Sequence, residues 1–287
     1  MPRHVLTLIS SPGTPALRAN ASLIAPIRAR LNPVRVVWLS PVACDLEFDD
    51  APDAEVMRKI FALAQEARVD AVLQPMEHRV KQLLISDMDS TMIGQECIDE
   101  LAAEVGLKDK VAAITARAMN GEITMHDAFV ERVGLLKGTT AADIEAVKAS
   151  LTGFPLMPQT IKWLQSQGVR CVVISSGVDI FVRPMAELFG FDAYHCSHLN
   201  LTDGTMDGTL RGDIVTKQGK ADITATLIED MGIEPSQALA MGDGANDAIM
   251  MSVVGRPFGW RPKPALAEVV PNQFWHSDYR ALRYALV

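Results

Sequence analysis

The chain has 287 residues, 48% of them hydrophobic and 22% charged, with 35 acidic side chains against 27 basic ones and a formal net charge of −8. These values suit about two globular domains and exclude disordered or collagen-like chains. The net negative charge removes the long-range basic field that attracts a nucleic acid backbone or an anionic membrane, so neither partner is expected.

No apolar run reaches the roughly 18 residues needed to cross a bilayer, and the first one, "VLTLIS", is shorter than a secretory core segment. Four dispersed cysteines (Cys44, Cys97, Cys171 and Cys196) form no Cys-x-x-Cys pair, which predicts free thiols and a cytoplasmic location.

Residues 1–79 read as a small βαββαβ unit. "HVLTLIS" and "VRVVWLS" read as strands, and "ACDLEFD" is a weaker strand. "NASLIAPIRARL" and "DAEVMRKIFALAQEAR" are amphipathic at helical spacing, the second with Asp53 as its N-cap, and "DAVLQP" closes the unit. That order is ferredoxin-like. Pro75 and the polar "MEHR" read as a linker.

From residue 80 to 287 the pattern becomes α/β: apolar strand runs separated by helices, as a doubly wound parallel sheet requires. The runs are "QLLIS", "RCVVIS" and "ALAMG", then "AYHCS", "VVGRPFGW" and "QFWHS". About 92–155 forms a helical insertion, "ECIDELAAEVGL" through "AADIEAVKASL", expected to cap the sheet as a lid. "LNLTDGTMDGTLRGD" predicts a hairpin excursion, and "HCSH" at 195–198 is expected to be structural because its ligand spacing fits no zinc site.

Ligands of open α/β sheets bind beyond the carboxyl ends of the strands. Three strands deliver reactive groups there: "SDMDST" with Asp87 and Asp89, "SSG" with Ser175, Ser176 and Gly177, and "GDGAND" with Asp243, Asn246 and Asp247. An i, i+2 spacing on extended backbone points both carboxylates of the first motif to one side. Carboxylates converging on one rim repel unless a cation sits among them, and oxygen-only ligands select a hard ion such as Mg²⁺. An acidic phosphate site is then workable, with Lys220 of "TKQGKADI" as the protein's cation and Lys217 as its nearby competitor. Ser175 could donate its hydroxyl to phosphate, helped by the N–H groups of Ser176 and Gly177 at a helix start.

In these four motifs, "DMDST", "ISSGVDI", "KQGK" and "GDGAND", the chain resembles the phosphoserine phosphatases of the haloacid dehalogenase superfamily over roughly residues 80–287. The resemblance implies Mg²⁺-dependent hydrolysis of O-phospho-L-serine, the last step of serine biosynthesis. It makes Asp87 the nucleophile that becomes an aspartyl phosphate, and Asp89 the acid and then base, with Ser175 and Lys220 assisting. It assigns the metal to Asp87, the Asp89 backbone carbonyl, Asp243 and Asp247. It also matches Glu96 to the substrate ammonium and Arg132 to its carboxylate, a pairing that would select an amino acid, and Asn246 to phosphate or substrate positioning.

Where the family commonly reads Ser-Gly-Gly-Phe, the chain has "SSGV", Ser175 to Val178, which predicts an altered pocket floor. Residues 1–79 resemble ACT domains, implying an amino-acid effector or a homodimer. Two alternatives stay open: a phosphotransferase passing the phosphoryl group to an alcohol such as homoserine, and an amino-acid sensor with an idle catalytic domain.

Overall fold

A computed structural model describes residues 2–11, 13, 17 and 21–286. The chain builds two sheets. The first unit runs β1 His4–Ser10, α1 Ala21–Leu31, β2 Arg35–Ser40, β3 Ala43–Phe48, α2 Ala54–Glu66 and β4 Val69–Pro75. Its antiparallel order β2-β3-β1-β4 is the ferredoxin-like one that the element order predicts. Asp53 caps α2 as expected, its Oδ1 accepting from the N–H groups of Glu55 and Val56 at 2.8 and 3.2 Å. Asn20, the first residue of the predicted first helix, lies outside the described residues.

The rest comprises β5 Leu83–Ser86, α3 Cys97–Glu104, α4 Lys108–Met119, α5 Met125–Leu135, α6 Ala141–Ser150, α7 Met157–Ser166, β6 Arg170–Val178, α8 Asp179–Phe189, β7 Ala193–Thr202 and β8 Thr205–Arg211. These are followed by α9 Lys217–Asp230, β9 Ala238–Gly242, α10 Ala248–Val253, β10 Arg256–Trp260, α11 Pro264–Ala267, β11 Gln273–Phe274 and α12 Ala281–Ala285. The strand order is β11-β10-β9-β5-β6-β7-β8. Every pairing is parallel except β7 with β8, the predicted hairpin, which turns at Asp203 and Gly204 with φ of 51° and 77°, as a two-residue I′ turn demands.

The central strands are apolar throughout because both their faces are covered. Leu83, Ile85, Val172, Ile174, Ala238 and Ala240 enter one core, with α9 and α10. Leu84, Cys171, Val173, Leu239 and Met241 enter the other, with the cap and the C-terminal segment. Helices α3 to α6 form the predicted insertion, and an isolated bridge between Ile93 and Gly153 closes its neck.

Among the described residues, both faces of the first sheet are covered. Leu6, Leu8, Cys44 and Leu46 pack among the residues of α1 and α2. The alternate residues dock on the chain's own C-terminal segment: Ile9, Ala43 and Val72 join the larger core, and Asp70 accepts the backbone N–H groups of Trp275, His276 and Ser277. Asn272 exchanges two side-chain hydrogen bonds with the backbone of Leu73.

The "MEHR" segment, expected as a linker, is therefore part of a docked joint. Arg79 is buried and forks onto Asp45 at 2.7 and 3.0 Å, and also donates to Thr7 Oγ1 and to the carbonyls of Tyr284 and Ala285. Removing one partner of a buried pair strands the other charge, so Arg79→Ala should lower unfolding free energy by about 3–5 kcal/mol. Urea denaturation checks this, and Arg79→Met with Asp45→Asn should cost less than Arg79→Ala alone.

Candidate active site

The central strands place the motifs because β5 lies between β6 and β9, with Ser86 in register with Val173 on one side and Met241 on the other. Asp87 follows β5 directly, its N–H donating to the Met241 carbonyl at 2.9 Å. Beyond it the chain folds tightly, with Thr91 and Met92 both donating to the Met88 carbonyl and Ser90 at φ 55°. The C-terminal segment braces this loop: the buried Tyr279 hydroxyl donates to the Thr91 carbonyl.

Asp87, Asp243 and Asp247 each offer a carboxylate oxygen within 4.8 Å of the others, and all three are buried. Among the described residues this is the one group of three or more potential metal-ligating side chains, and none is found at "HCSH". His198 instead lies 3.0 Å from Asp179. Buried, oxygen-only and acidic, the cluster fits a hard divalent cation.

Lys220 supplies one positive charge. Thr216 caps α9 through the Gly219 N–H, which sets Lys220 on the inner helix face with Ala221, Thr224, Leu227 and Ile228. Its fully buried ammonium sits 2.7 Å from both Asp87 Oδ1 and Asp247 Oδ1. Burial works against that charge, but the Asp247 and Asp87 carboxylates outweigh it and hold Lys220 above the usual lysine range. Lys217, the sequence's competitor, is exposed.

The glycines of "GDGAND" make room for the protein's own side chains. A Cβ on Gly242 would stand 2.3 Å from Asp247 Oδ2, and one on Gly244 would stand 2.3 Å from Asn246 Oδ1. The close approach that these glycines permit is thus that of side chains across the turn. Asp247 Oδ2 accepts the Gly244 N–H at 3.2 Å, and Asn246 donates to Asp247 Oδ1 at 3.3 Å.

Burial, and after it the charge of Asp247, push Asp87 up to about 7. Burial, followed by Glu96 and Asp87, pushes Asp89 up to about 8. A bound cation would reverse the first effect and leave a nucleophilic carboxylate beside a carboxylic acid that can donate a proton. Asp89 Oδ2 accepts the Cys97 N–H at 3.4 Å, whereas its buried Oδ1 has no partner.

Ser175 and Gly177 come to the same place: a Cβ on Gly177 would lie 3.7 Å from Asp89 Oδ2. The expected helix start at Ser176 and Gly177 is displaced. β6 continues to Val178, its pairing with β7 shifts between Ile174 and Val178, and α8 begins at Asp179. Residues 175–177 therefore form an irregularity of the kind that re-aims groups beside active sites. The Gly177 N–H donates to Ser175 Oγ at 2.9 Å. Val178, expected to alter a pocket floor, is fully buried in the large core, and Ser176 is half-buried.

The cap delivers the two remaining residues. Glu96 Oε1 accepts from Ser90 Oγ at 2.8 Å, which fixes it above the Asp87 to Thr91 loop. Arg132, on α5, lies 3.9 Å from Asp99, and its buried Nε has no partner, leaving guanidinium donor capacity unspent. Burial pushes Asp99 up, opposed first by the Arg132 guanidinium, with Glu96, Lys108 and Lys263 also acting on it.

Lys263 is the residue the sequence reading missed. Its ammonium lies 2.9 Å from Asp243 Oδ2 and 3.1 Å from Glu96 Oε1. The signal was available: "RPKPAL" follows the β10 run at the same carboxyl edge.

Residues 84–252 match the family model for haloacid dehalogenase-like hydrolases. Over 218 residues the chain is 34% identical to a phosphoserine phosphatase of Archaeoglobus fulgidus, covering 75% of this chain and 63% of that one. It is 36% identical over 193 residues to that of Haemophilus influenzae, covering 66% and 62%. The chain thus spans under two thirds of these two proteins. With a phosphoserine phosphatase of Streptococcus thermophilus it shares 36% identity over 199 residues, covering 69% of this chain and 93% of that protein.

Among solved structures, a hydrolase of Salmonella enterica serovar Typhi superposes with a TM-score of 0.89 at 23% identity, covering 99% and 98% of the two chains, first sheet included. A substrate-bound phosphoserine phosphatase complex gives 0.66 at 30% identity, covering 72% of this chain and 99% of that one.

Proposed function

The chain belongs to the haloacid dehalogenase-like hydrolases, and on that premise we propose that it hydrolyses O-phospho-L-serine to serine and phosphate, the last step of serine biosynthesis, with Mg²⁺ as cofactor. The observation that carries the reading is the buried set of Asp87, Asp243, Asp247 and Lys220, reached from the cap by Glu96. Identity to phosphoserine phosphatases of two bacteria and an archaeon supports the substrate.

Asp87 attacks phosphorus and becomes an aspartyl phosphate, while Asp89 gives its proton to the leaving serine oxygen. Asp89, now ionised, takes a proton from the water that cleaves the acyl phosphate, so one hard displacement becomes two easier ones. Lys220 stays charged against Asp87 and the phosphoryl oxygens, and Ser175 donates its hydroxyl to one of them. Asp87, the Asp89 backbone carbonyl, Asp243 and Asp247 would hold Mg²⁺. The ion, when bound, supplies charge that offsets the approach of an anionic ester to an anionic nucleophile.

At the mouth, Glu96 takes the substrate ammonium and Arg132 its carboxylate through the guanidinium donors left free, with Ser176, Gly177 and Asn246 lining the phosphate end. We place the domain boundary after residue 79, with 80–287 the catalytic unit and about 92–155 its cap. Because its second face is occupied by the chain's own C-terminal segment, the first sheet acts in this reading as a brace for the loop that carries Asp87.

The deciding experiment is phosphate release from O-phospho-L-serine with Mg²⁺, beside EDTA-treated protein and a panel of other esters. Metal-dependent, serine-selective release is expected. Release from other esters alone would move the substrate, and phosphohomoserine formed from added homoserine would indicate phosphotransfer. Arg132→Ala should raise the phosphoserine KM at least about tenfold, as loss of a charged hydrogen-bonded pair does, while changing that of p-nitrophenyl phosphate little. Equal losses on both esters would make Arg132 structural.

A further inference from the structure

Lys263 has no part in the chemistry described above, yet its ammonium occupies the junction of that chemistry. It lies 2.9 Å from Asp243, which belongs to the metal cluster, and 3.1 Å from Glu96, which the proposed function pairs with the substrate ammonium. The backbone fixes it there, since the Lys263 N–H donates to the Asp243 carbonyl at 2.7 Å and prolines flank it on both sides. The side chain is 58% exposed, unlike the wholly buried Lys220, so it can swing into solvent as another cation takes over the buried Asp243.

One lysine thus bridges two carboxylates, and both are the destinations of incoming cations in the proposed function. We propose that Lys263 is a resident counter-ion that competes with the divalent metal for Asp243 and with the substrate ammonium for Glu96, and so sets how strongly the site prefers an amine-bearing ester.

The physical reason is charge exclusion. Without Lys263, Asp243 and Glu96 would face each other across the mouth with no cation between them, an arrangement that drives carboxylates apart. Lys263 keeps them together until metal and substrate arrive. Its pair with the half-exposed Glu96 is weak, and its pair with the buried Asp243 is exchanged for the incoming metal rather than simply broken, so its presence lowers the apparent affinity for both newcomers by competition. Its neighbours assign it to this role: Asp243 on the core and Glu96 on the cap share no other cationic partner among the described residues within ion-pair distance.

The metal half of the inference is independent of the substrate, and the amine half rests on the phosphoserine reading. The test compares wild-type protein with Lys263→Met and Lys263→Arg. Mg²⁺ binding is followed by isothermal titration calorimetry without substrate, and KM is measured for phosphoserine and for amine-free phosphoglycolate. Lys263→Met should bind Mg²⁺ about fivefold more tightly, the scale of a partly exposed charge interaction, and lower the phosphoserine KM relative to that of phosphoglycolate. Lys263→Arg, which keeps the charge, should stay near wild type in both.

Unchanged or weaker Mg²⁺ binding by Lys263→Met overturns the competition at Asp243. An unchanged ratio of the two KM values overturns it at Glu96. A wild-type enzyme with no preference for phosphoserine would remove the amine half together with the reading beneath it, and the calorimetry would still decide the metal half.

Discussion

Replacing Asp87 with asparagine is expected to lower kcat about 10⁴-fold or more and to leave a folded protein, since loss of the proposed covalent nucleophile would remove the step on which the rest of the machinery acts. Asparagine keeps the shape but cannot form the acyl phosphate. The electrostatics make the folding half of this expectation specific. Asp87 and Asp247 are like charges that share the single buried ammonium of Lys220 at 2.7 Å each. With Asp87 neutral, Lys220 serves Asp247 alone, so the variant in EDTA should melt no lower than wild type.

Circular dichroism for folding and phosphate release for turnover measure the two halves. Turnover within tenfold of wild type would sink the nucleophile assignment, and a large loss of stability would show that Asp87 is held by more than the charges described. Mg²⁺ should then stabilise Asp87→Asn less than wild type, because one of the three convergent carboxylates has lost its charge.

The chemistry was legible in the sequence to the extent that it sits at strand ends. "LLIS", "CVVIS" and "ALAMG" are recognisable as two-sided strands because they are apolar without alternation, and a parallel sheet carries its ligands past their carboxyl ends. Asp87, Ser175 and Asp243 follow from that rule. Lys220 follows less directly, because nothing in "TKQGKADI" says that α9 turns its fourth residue inward; the Thr216 cap and the burial of Ala221, Thr224 and Leu227 decide it.

What escaped were contacts made across long stretches of chain. Arg79 looks like solvent-facing punctuation in "MEHR", yet its partners Asp45, Tyr284 and Ala285 lie 34 or more residues away. Lys263 looks like a surface lysine between two prolines until Glu96, 167 positions earlier, is brought beside it. The extension of β6 to Val178 also ran against a local rule, since "SSG" reads as a helix cap by propensity and is overridden by pairing with Ser197.

Lys220→Met should have the second large effect, and here stability carries the information. Met fills much of the lysine's volume but leaves Asp87 and Asp247 buried against each other, and breaking a buried pair in this way costs about 3–5 kcal/mol. The cost depends on pH with a definite sign. With Lys220 present, Asp87 is already raised from 3.8 to about 7, so between those values the folded protein holds a proton that the unfolded chain has released. Wild-type stability in EDTA should therefore fall as pH rises through that window.

Lys220 is among the influences that lower Asp87. Without it the carboxyl rises further, so the fall extends to higher pH. The deficit of the variant should be largest near pH 8.5 and smallest near pH 5, where a shared proton replaces the missing cation. Mg²⁺ should recover part of the stability at pH 8.5 by supplying the absent charge, but not turnover, because the phosphoryl oxygens still lack the ammonium. Urea denaturation at the two pH values, with and without Mg²⁺, separates the possibilities. A deficit independent of both pH and metal would mean that Met packs badly in the space Lys220 fills, and the charge argument for this site would fall with it.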